Sequence, residues 1–392
     1  MKPLFAPAFA FSAAFFATAC GAGSSDSPAG AFASGTGGSG SGAGGNATAG
    51  GAAGAGSSAS WSGGAPGSTG GTSSAGGTSG GTGGSGGGTP PTPPAYSHTM
   101  DSIDIAPGDE LTGVCQSWTL NNAEPLYVNR IEEHNDGNFH HSNWIWVTDD
   151  NYAGPDGTWK CTDRGFDQVL AGAIGGVFFA QSTQSPNDAQ GFPPHVAYVI
   201  PAHARIVGDV HLLNATEDSV TTSLHFDVFT IPAADMSVQL QPMAFTNLNL
   251  DIAPQTTTKA HMQCATPQPD FDVYYVLPHY HALGQGMDIT VAGGAMAGTS
   301  IFSSAGGYGE AMGKSYDPPI SVHGASGLGI TCTFENPGTA SVHYGVGNQE
   351  MCVALVYSTG KKAGGETISN LSVTDTGGVH QTDGLCVAVG SP

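Results

Sequence analysis

From residue 96 to the C-terminus, short runs of alternating or continuous apolar residues are separated by turn-forming Gly, Pro, Asn and Asp. The runs are rich in Val, Ile, Tyr, Trp and Thr, and no long stretch has a helical period, so each run predicts a β-strand. The clearest runs are residues 143–148, 205–213, 224–231, 273–277, 329–334 and 351–357. Several short strands at this spacing predict an all-β fold of antiparallel β-sandwiches.

The division into domains is predicted from length and from a change in composition. The stretch from residue 96 to residue 392 is long enough for two domains of ordinary size. The composition shifts near Ile231-Pro232-Ala233-Ala234, which is the best candidate for a boundary. We therefore expect two tandem domains, residues 96–232 and residues 233–392.

The segment before the first predicted strand has a different character. Residues 21–95 are almost entirely Gly, Ser, Ala and Thr and end in a proline-rich stretch. Such a tract buries too little apolar surface to offset the entropy lost on ordering. It predicts a disordered tether over residues 20–95, stiffer at its proline-rich end.

Residues 1–19 are typical of an export signal, because Lys2 is followed by an apolar run and then by small residues. Ala17-Thr18-Ala19-Cys20 resembles a bacterial lipobox, although Ala17 stands where Leu is usual. We expect export and lipid anchoring through Cys20 to a bacterial envelope membrane. Plain secretion and an uncleaved anchor are the alternatives. No other apolar run is long enough to span a bilayer.

Charge narrows the expected partners. The formal net charge is -22, and Asp26 is the one charged residue of the tether. Nucleic acids and anionic lipid surfaces repel so acidic a chain, so neither is an expected partner. We expect a monomer that contacts a membrane only through the lipid anchor, with an acidic surface that keeps it soluble.

The cysteines fit an exported protein. There are seven, and removing Cys20 leaves six, an even number that predicts disulfides in an oxidising compartment. Their connectivity stays open at this point, since six cysteines allow 15 pairings.

Five histidines and one methionine are candidate metal ligands, namely His140, His141, His211, His279, His281 and Met351. Imidazole suits copper and a thioether favours Cu(I), so a triple-His set followed by a His-His-Met set predicts two copper sites of different softness. Residues two apart in a strand face one side, so His279 and His281 form a natural chelating pair. Adjacent His140 and His141 face opposite sides, and both reach one metal only if the strand bends or bulges.

Each of these patterns is short enough to arise by chance. A single strand histidine is more often a hydrogen-bonded polar group than a ligand, and a methionine at the head of an apolar strand more often fills core. Other methionine candidates are Met236, Met243, Met262, Met287, Met296 and Met312. From the residues alone, Met351 is one candidate among several.

Five short motifs nevertheless occur in a distinctive order, namely Phe139-His140-His141, Gly208-Asp209-Val210-His211, Ser223-Leu224-His225, His279-Tyr280-His281-Ala282-Leu283-Gly284 and Gln349-Glu350-Met351-Cys352. In this order they resemble the His-His element, the third N-domain ligand, a Ser-Leu-His segment, the His-x-His-x-Leu-Gly motif and the Asp-Glu-Met-Cys motif of the copper type II, ascorbate-dependent monooxygenases. That family contains peptidylglycine α-hydroxylating monooxygenase and dopamine β-monooxygenase. The resemblance covers about residues 110–390.

The resemblance implies two jelly-roll-like β-sandwich domains, with one copper in each and a solvent-exposed gap between the two ions. It implies that the electron-storing copper is held by His140, His141 and His211. It implies that the O2-binding copper is held by the catalytic residues His279, His281 and Met351. It also implies the disulfides Cys115–Cys161, Cys264–Cys386 and Cys332–Cys352.

On this basis we expect a copper-dependent monooxygenase that hydroxylates a C–H bond of a small-molecule substrate with O2 and a one-electron reductant such as ascorbate. Peptide-hydroxylating members have Arg, Asn and Tyr where Leu277, Val353 and Leu355 stand here. Losing the Arg removes a bidentate carboxylate clamp, so peptide amidation is not expected and the substrate should be less anionic. Asp209 stands where the family has Gln, which predicts altered coupling between the coppers.

Two other interpretations compete with the monooxygenase. One is a non-catalytic copper-binding or redox protein on the same scaffold. The other is a structural or carbohydrate-binding surface sandwich whose histidines are incidental. His225 and His343 are additional candidates, which we expect to be structural or to hydrogen-bond a ligand.

Overall fold

The computed structural model describes residues 93–181, 185–306, 312–345 and 349–390. The predicted signal peptide, Cys20 and nearly all of the predicted tether lie outside these residues. From Tyr96 onward the described chain is built almost entirely of β-strands, which confirms the predicted all-β class.

The first half of the described chain contains twelve strands and one short α-helix. The strands are β1 (Tyr96–Thr99), β2 (Ile103–Ile105), β3 (Glu110–Thr119), β4 (Leu126–Asn135), β5 (Phe139–Thr148), β6 (Gly157–Lys160), β7 (Gly176–Gln181), β8 (Asn187–Gly191), β9 (Val196–Ile200), β10 (Ala204–Leu213), β11 (Val220–Thr222) and β12 (Leu224–Thr230). A 3₁₀ turn (Cys161–Arg164) and the helix α1 (Gln168–Ile174) lie between β6 and β7. Asp167 caps α1, because its carboxylate accepts a hydrogen bond from the N–H of Leu170 at 2.8 Å.

The second half begins with a 3₁₀ turn (Ala233–Asp235), where the predicted boundary falls, and that boundary stays a prediction. The strands that follow are β13 (Val238–Thr246), β14 (Asp251–Ile252), β15 (Thr256–Ala265), β16 (Phe271–His279), β17 (Gly284–Ala292), β18 (Ser300–Ala305), β19 (Lys314–Val322), β20 (Gly327–Asn336), β21 (Val342–His343), β22 (Val353–Ser358), β23 (Ala363–Thr376) and β24 (Val379–Gly390). The six clearest runs of the sequence coincide with β5, β10, β12, β16, β20 and β22.

Two sheets pack face to face in the first half. One has the strand order β6-β3-β10-β5-β7, and the other contains β1-β12-β4-β9 with β8 beside β4. Inward-facing side chains of both sheets fill the space between them, as in a β-sandwich. Trp144 of β5 and Phe226 of β12 are fully buried and meet edge to face, with ring centroids 5.0 Å apart. This sandwich encloses the first apolar cluster of the core.

The strands of the second half enclose a separate apolar cluster. They are hydrogen-bonded in the order β19-β16-β22-β13-β23-β24-β15-β20-β17-β18. Most neighbours are antiparallel, but β9 and β13, β13 and β23, and β15 and β24 run parallel. Met262, Ile289, Phe334 and Val356, from β15, β17, β20 and β22, are all buried in this cluster, so distant parts of the sheet cover one core.

The two halves are joined through β9, which pairs with β13, and through the face of β16 and β22. Leu277, Leu355 and Tyr357 of this face pack into the first apolar cluster. The hydroxyl of Tyr357 donates a hydrogen bond to the carbonyl of Val177 at 3.0 Å. This packing brings the end of β16, at His279, against the first half.

Three disulfides link the six cysteines of the described residues, and they confirm the pairing that the family resemblance implies. They are Cys115–Cys161, Cys264–Cys386 and Cys332–Cys352. Structural disulfides form and persist in oxidising surroundings, so this part of the chain folds in an oxidising, extracellular environment. Within the described ranges, none of the helices has the length and apolar character needed to cross a bilayer.

Candidate metal centre

A bulge in β5 lets His140 and His141 share a site. His141 pairs with His211 of β10, whereas the next pair joins Phe139 to Leu212, so His140 is an extra residue in β5. Such a bulge bends the strand and re-aims a side chain. The ring centroid of His140 lies 4.6 Å from that of His211 and 5.6 Å from that of His141. The condition that strand geometry sets for a shared site is therefore met.

His279 is the last residue of β16, and His281 lies just beyond the strand. Their ring centroids are 5.3 Å apart. Between them Tyr280 is fully buried, and a Cβ added at Gly284 would lie 2.0 Å from Tyr280 Cδ2. Gly284 is therefore required for the chain to pass close to the Tyr280 ring, and this tight passage fixes the turn that carries both imidazoles.

The five histidines form one cluster. The ring centroid of His141 lies 4.8 Å from that of His211 and 5.2 Å from those of both His279 and His281. That of His140 lies 6.0 Å from His281. This arrangement differs from the solvent-exposed gap that the resemblance implies, because the two ligand sets are in contact. The physical reason is the packing of β16 and β22 onto the first-half core, which carries His279 to β5 and β10.

Glu110, which was not among the residues predicted from the sequence, orients His211 of the set formed by His140, His141 and His211. Its Oε1 lies 2.6 Å from His211 Nε2, while His211 Nδ1 lies 3.0 Å from His141 Nε2. A carboxylate on one imidazole nitrogen fixes the tautomer and leaves the lone pair on the other nitrogen. Glu110 and His211 are 101 residues apart, so no local pattern could have revealed the contact.

Glu350 supports the second set in a similar way. Its Oε2 accepts hydrogen bonds from the backbone N–H of His281 at 2.8 Å and of Met351 at 3.3 Å, and its Oε1 from that of Leu283 at 2.6 Å. Burial raises the pKa of Glu350 to about 7, although these three hydrogen bonds act in the opposite direction. One carboxylate thus ties the His281 turn to the chain at Met351. Its position beside Met351 in the sequence motif was the signal that could have found it.

Burial keeps four of the five imidazoles uncharged. Desolvation, together with the neighbouring histidines, lowers the pKa of His140 to about 4 and that of His279 to about 3. Desolvation also lowers the pKa of His141 and of His281, and a hydrogen bond to the carbonyl of Gln349 partly opposes the shift at His281. A neutral imidazole offers a lone pair to a metal ion, so these rings are in the ligating form at neutral pH.

Three ring nitrogens of the cluster are buried without a hydrogen-bond partner, namely His141 Nδ1, His279 Nε2 and His281 Nε2. One nitrogen from each of these rings lies within 4.8 Å of the others. Buried unpaired polar atoms are rare because each costs free energy, and ligation of a metal ion gives such a nitrogen a partner. The residues present therefore fit a transition-metal ion.

Met351 is half-buried directly before the Cys332–Cys352 disulfide. Met243, Met262 and Met287 belong to the second apolar cluster, whereas Met351 is part of neither cluster of the described residues. The gap-filling role that fits those three methionines does not fit Met351. Its backbone is held beside the His281 turn through Glu350.

The three positions that depart from the family pattern form an apolar row beside His279. On the paired strands β16 and β22, Val353 lies opposite His279 and Leu355 lies opposite Leu277. Leu277 and Leu355 are buried. Asp209 lies beside the Cys115–Cys161 disulfide, and burial raises its pKa to about 6.

His225 and His343 lie elsewhere. His343 Nδ1 contacts the carbonyl oxygen of Leu250 at 3.2 Å, and its side chain is mostly exposed. His225 is on β12, with its Nε2 3.2 Å from Asp227 Oδ1. Neither contact involves a residue of the five-histidine cluster.

No protein-family model matches the chain, and no curated protein matches it. The chain is similar to the solved major capsid protein P2 of bacteriophage PM2, at 10% identity over 67% of this chain and 97% of that chain, with a TM-score of 0.28. It is similar to the PBSX exported protein XepA, at 7% identity over 67% and 86%, with a TM-score of 0.20. It is also similar to oxalate decarboxylase of Bacillus subtilis, at 9% identity over 68% and 78%, with a TM-score of 0.17. Likenesses this distant carry no argument, so the site is interpreted from its own geometry.

Proposed function

We propose that the five-histidine cluster is a copper centre. The observation that carries this proposal is the group of three buried, unpartnered imidazole nitrogens on His141, His279 and His281. Imidazole suits copper and zinc alike, and the thioether of Met351 favours Cu(I). The trio fits one ion, and the second of the two copper ions that we expect per chain rests on the family resemblance.

We further propose that the protein is a copper-dependent monooxygenase. The ordered motifs support this, and so does the disulfide pairing, which agrees with the family pattern. Bound copper would supply one-electron transfer and O2 activation, so that one oxygen atom enters a substrate C–H bond with electrons from a reductant such as ascorbate. The chain's own residues would hold and orient the ligands, with Glu110 on His211 and Glu350 on the His281 turn.

The substrate that fits best is an uncharged organic molecule. Leu277 and Leu355 of the row beside His279 are packed into the first apolar cluster, so the row supplies no charged or hydrogen-bonding partner for a substrate. A charged group placed against such a row would lose hydration without gaining a partner.

A second candidate is a non-catalytic copper-binding or redox protein. Four of the five imidazole residues are nearly inaccessible, with relative exposures of 6% for His141, 4% for His211, 7% for His279 and 2% for His281. So enclosed a cluster leaves little room for an organic substrate, which favours copper retention or electron transfer.

We also propose that the protein is exported and anchored by lipid at Cys20. The three disulfides demand an oxidising compartment, and the first 20 residues have the pattern of a lipoprotein signal. The net charge of -22 disfavours nucleic acid as a partner. We expect the protein to act there as a monomer on small molecules. Mass spectrometry of the mature N-terminus is expected to find a lipid-modified Cys20, and an unmodified N-terminus would refute the anchor.

The functional test uses purified full-length protein loaded with copper. Copper content and ascorbate-dependent O2 uptake are measured with a panel of uncharged substrates for the wild type, for His279→Ala and for His323→Gln. His323 is an exposed control histidine that follows β19. We expect O2 uptake coupled to a hydroxylated product, lost in His279→Ala and kept in the control. Retained copper without product would favour the second candidate, and a protein that retains no copper would contradict both.

A further inference from the structure

Two histidines and two carboxylates gather on the outer face of the β4–β12 pair, on residues that the five-histidine cluster does not use. In the antiparallel register His134 lies directly opposite His225, and Glu132 lies directly opposite Asp227. Residues two apart on a strand share a face, and Glu133 between them is fully buried on the other side. The four side chains therefore project from one small patch of the surface.

Donor atoms of three of these residues converge, and His225 joins them through its contact with Asp227. One ligand atom each of Glu132, His134 and Asp227 lies within 4.8 Å of the others. His134 Nε2 lies 3.9 Å from Glu132 Oε2, and His225 Nε2 lies 3.2 Å from Asp227 Oδ1. Asp227 Oδ1 also accepts a hydrogen bond from the hydroxyl of Ser97, which holds this carboxylate in place.

Each imidazole contacts a neighbouring side chain through Nδ1, which leaves its Nε2 on the side of the carboxylates. His134 Nδ1 lies 2.7 Å from Asn187 Oδ1, and His225 Nδ1 lies 2.8 Å from Thr99 Oγ1. An amide oxygen only accepts hydrogen bonds, so in the neutral ring His134 Nδ1 carries the proton and Nε2 the lone pair. That lone pair faces the Glu132 carboxylate. A cation bound to both groups would stabilise this arrangement. Metal-ligating histidines are typically held in this way by a partner on the other nitrogen.

The patch is open to solvent, and its charge suits a cation. The side chains are 44% exposed for His134, 34% for His225, 26% for Glu132 and 23% for Asp227, so an ion could enter without rearrangement of the fold. Arg130 contacts Oε1 of Glu132, while Oε2 of the same carboxylate faces His134. The net charge of -22 attracts cations to the surface in general.

We propose that Glu132, His134, His225 and Asp227 form a surface binding site for a divalent transition-metal ion. Two imidazole nitrogens and two carboxylate oxygens are ligands that Zn²⁺ accepts in four-coordinate sites. The set contains no sulfur, so it favours a divalent ion over Cu(I). The site shares no residue with the five-histidine cluster and does not depend on the function proposed for that cluster.

The test measures Zn²⁺ bound by the full-length protein, by equilibrium dialysis with metal analysis and by titration calorimetry. The double variant His134→Gln, His225→Gln is expected to bind one Zn²⁺ ion fewer per chain than the wild type. The control His323→Gln removes a lone exposed histidine 3.6 Å from Asp270 and is expected to bind as the wild type does. Asn187→Leu, which removes only the partner of His134 Nδ1, is expected to weaken binding by about 10- to 100-fold.

Zn²⁺ taken up by the five-histidine cluster is common to all these variants, so the difference between them reports the surface site. Equal Zn²⁺ binding by the wild type and a folded double variant would overturn the proposal. Should the double variant fail to fold, Asn187→Leu decides the question, and wild-type affinity in that variant would likewise overturn it.

Discussion

Glu350→Gln tests the carboxylate that joins the His281 turn to Met351. Both carboxylate oxygens accept backbone N–H groups, from His281, Leu283 and Met351. Glutamine has nearly the same size but only one accepting oxygen, so its amide NH2 must face at least one of these N–H groups. The substitution therefore removes hydrogen bonds while leaving the packing nearly unchanged.

The expected magnitude follows from the number of N–H groups that lose their partner. Each buried N–H without a partner costs about 1–3 kcal/mol, so the free energy of unfolding of the metal-free protein should fall by about that amount per lost bond. Groups that hold a ligand in place typically affect metal affinity by about 10- to 100-fold, and we expect a loss of copper affinity in this range.

Urea unfolding measures the first effect, and a competition titration with a copper chelator measures the second. The matched control is Glu335→Gln, because Glu335 has an exposed side chain on β20 although its backbone N–H contacts the Leu283 carbonyl at 2.9 Å. The control should behave as the wild type does. Wild-type stability together with wild-type copper affinity in Glu350→Gln would refute the role assigned to this carboxylate.

Two other predictions concern stability. Burial raises the pKa of Glu133 from 4.5 to about 8. Between these two values the folded protein keeps a proton that the unfolded chain has lost. The free energy of unfolding therefore falls by about 1.4 kcal/mol for each pH unit by which the pH rises in this range. Glu133→Gln should flatten this decline in urea unfolding between about pH 6 and 8, and an unchanged slope would contradict the protonated state. Replacing Cys264 and Cys386 by Ser removes a disulfide between residues 122 apart in the sequence. The chain-entropy model predicts that the free energy of unfolding falls by about 5 kcal/mol. A calorimetric loss near zero would show that the disulfide does not constrain the unfolded chain.

Alternating or continuous apolar runs were sufficient to predict the strands that line a core. The run predicted at residues 205–213 corresponds to β10 (Ala204–Leu213), and the run at 224–231 corresponds to β12 (Leu224–Thr230). β12 has one buried face, and burial of that face produces its alternation. Nearly all of β10 is buried on both faces, so its apolar run does not alternate.

The same signal misses β23, which has no buried face over much of its length, and β24, whose buried residues include the polar His380 and Thr382. β23 and β24 form a long hairpin in which Ile368, Leu371 and Val373 are largely exposed. Because the solvent accepts polar and apolar residues alike there, the sequence carries no two-residue period. Pairing of the backbone, including the parallel contacts of β23 with β13 and of β24 with β15, defines these strands instead.

The candidate site was predictable residue by residue but not in its arrangement. Local spacing and motif order identified the histidines. Whether His140 and His141 share a site depends on the register of β5 against β10, where one extra residue makes the bulge. The contact between His141 and His279 depends on how β16 packs against the first half, which no local pattern encodes.

Electron paramagnetic resonance of the full-length protein loaded with Cu(II) shows whether imidazoles of both sets hold copper in one cluster. We expect nitrogen couplings from several histidines and a magnetic interaction between neighbouring ions, because the ring centroid of His141 lies 5.2 Å from those of both His279 and His281. Isolated Cu(II) without histidine couplings, or a spectrum unchanged by His141→Ala, would contradict it.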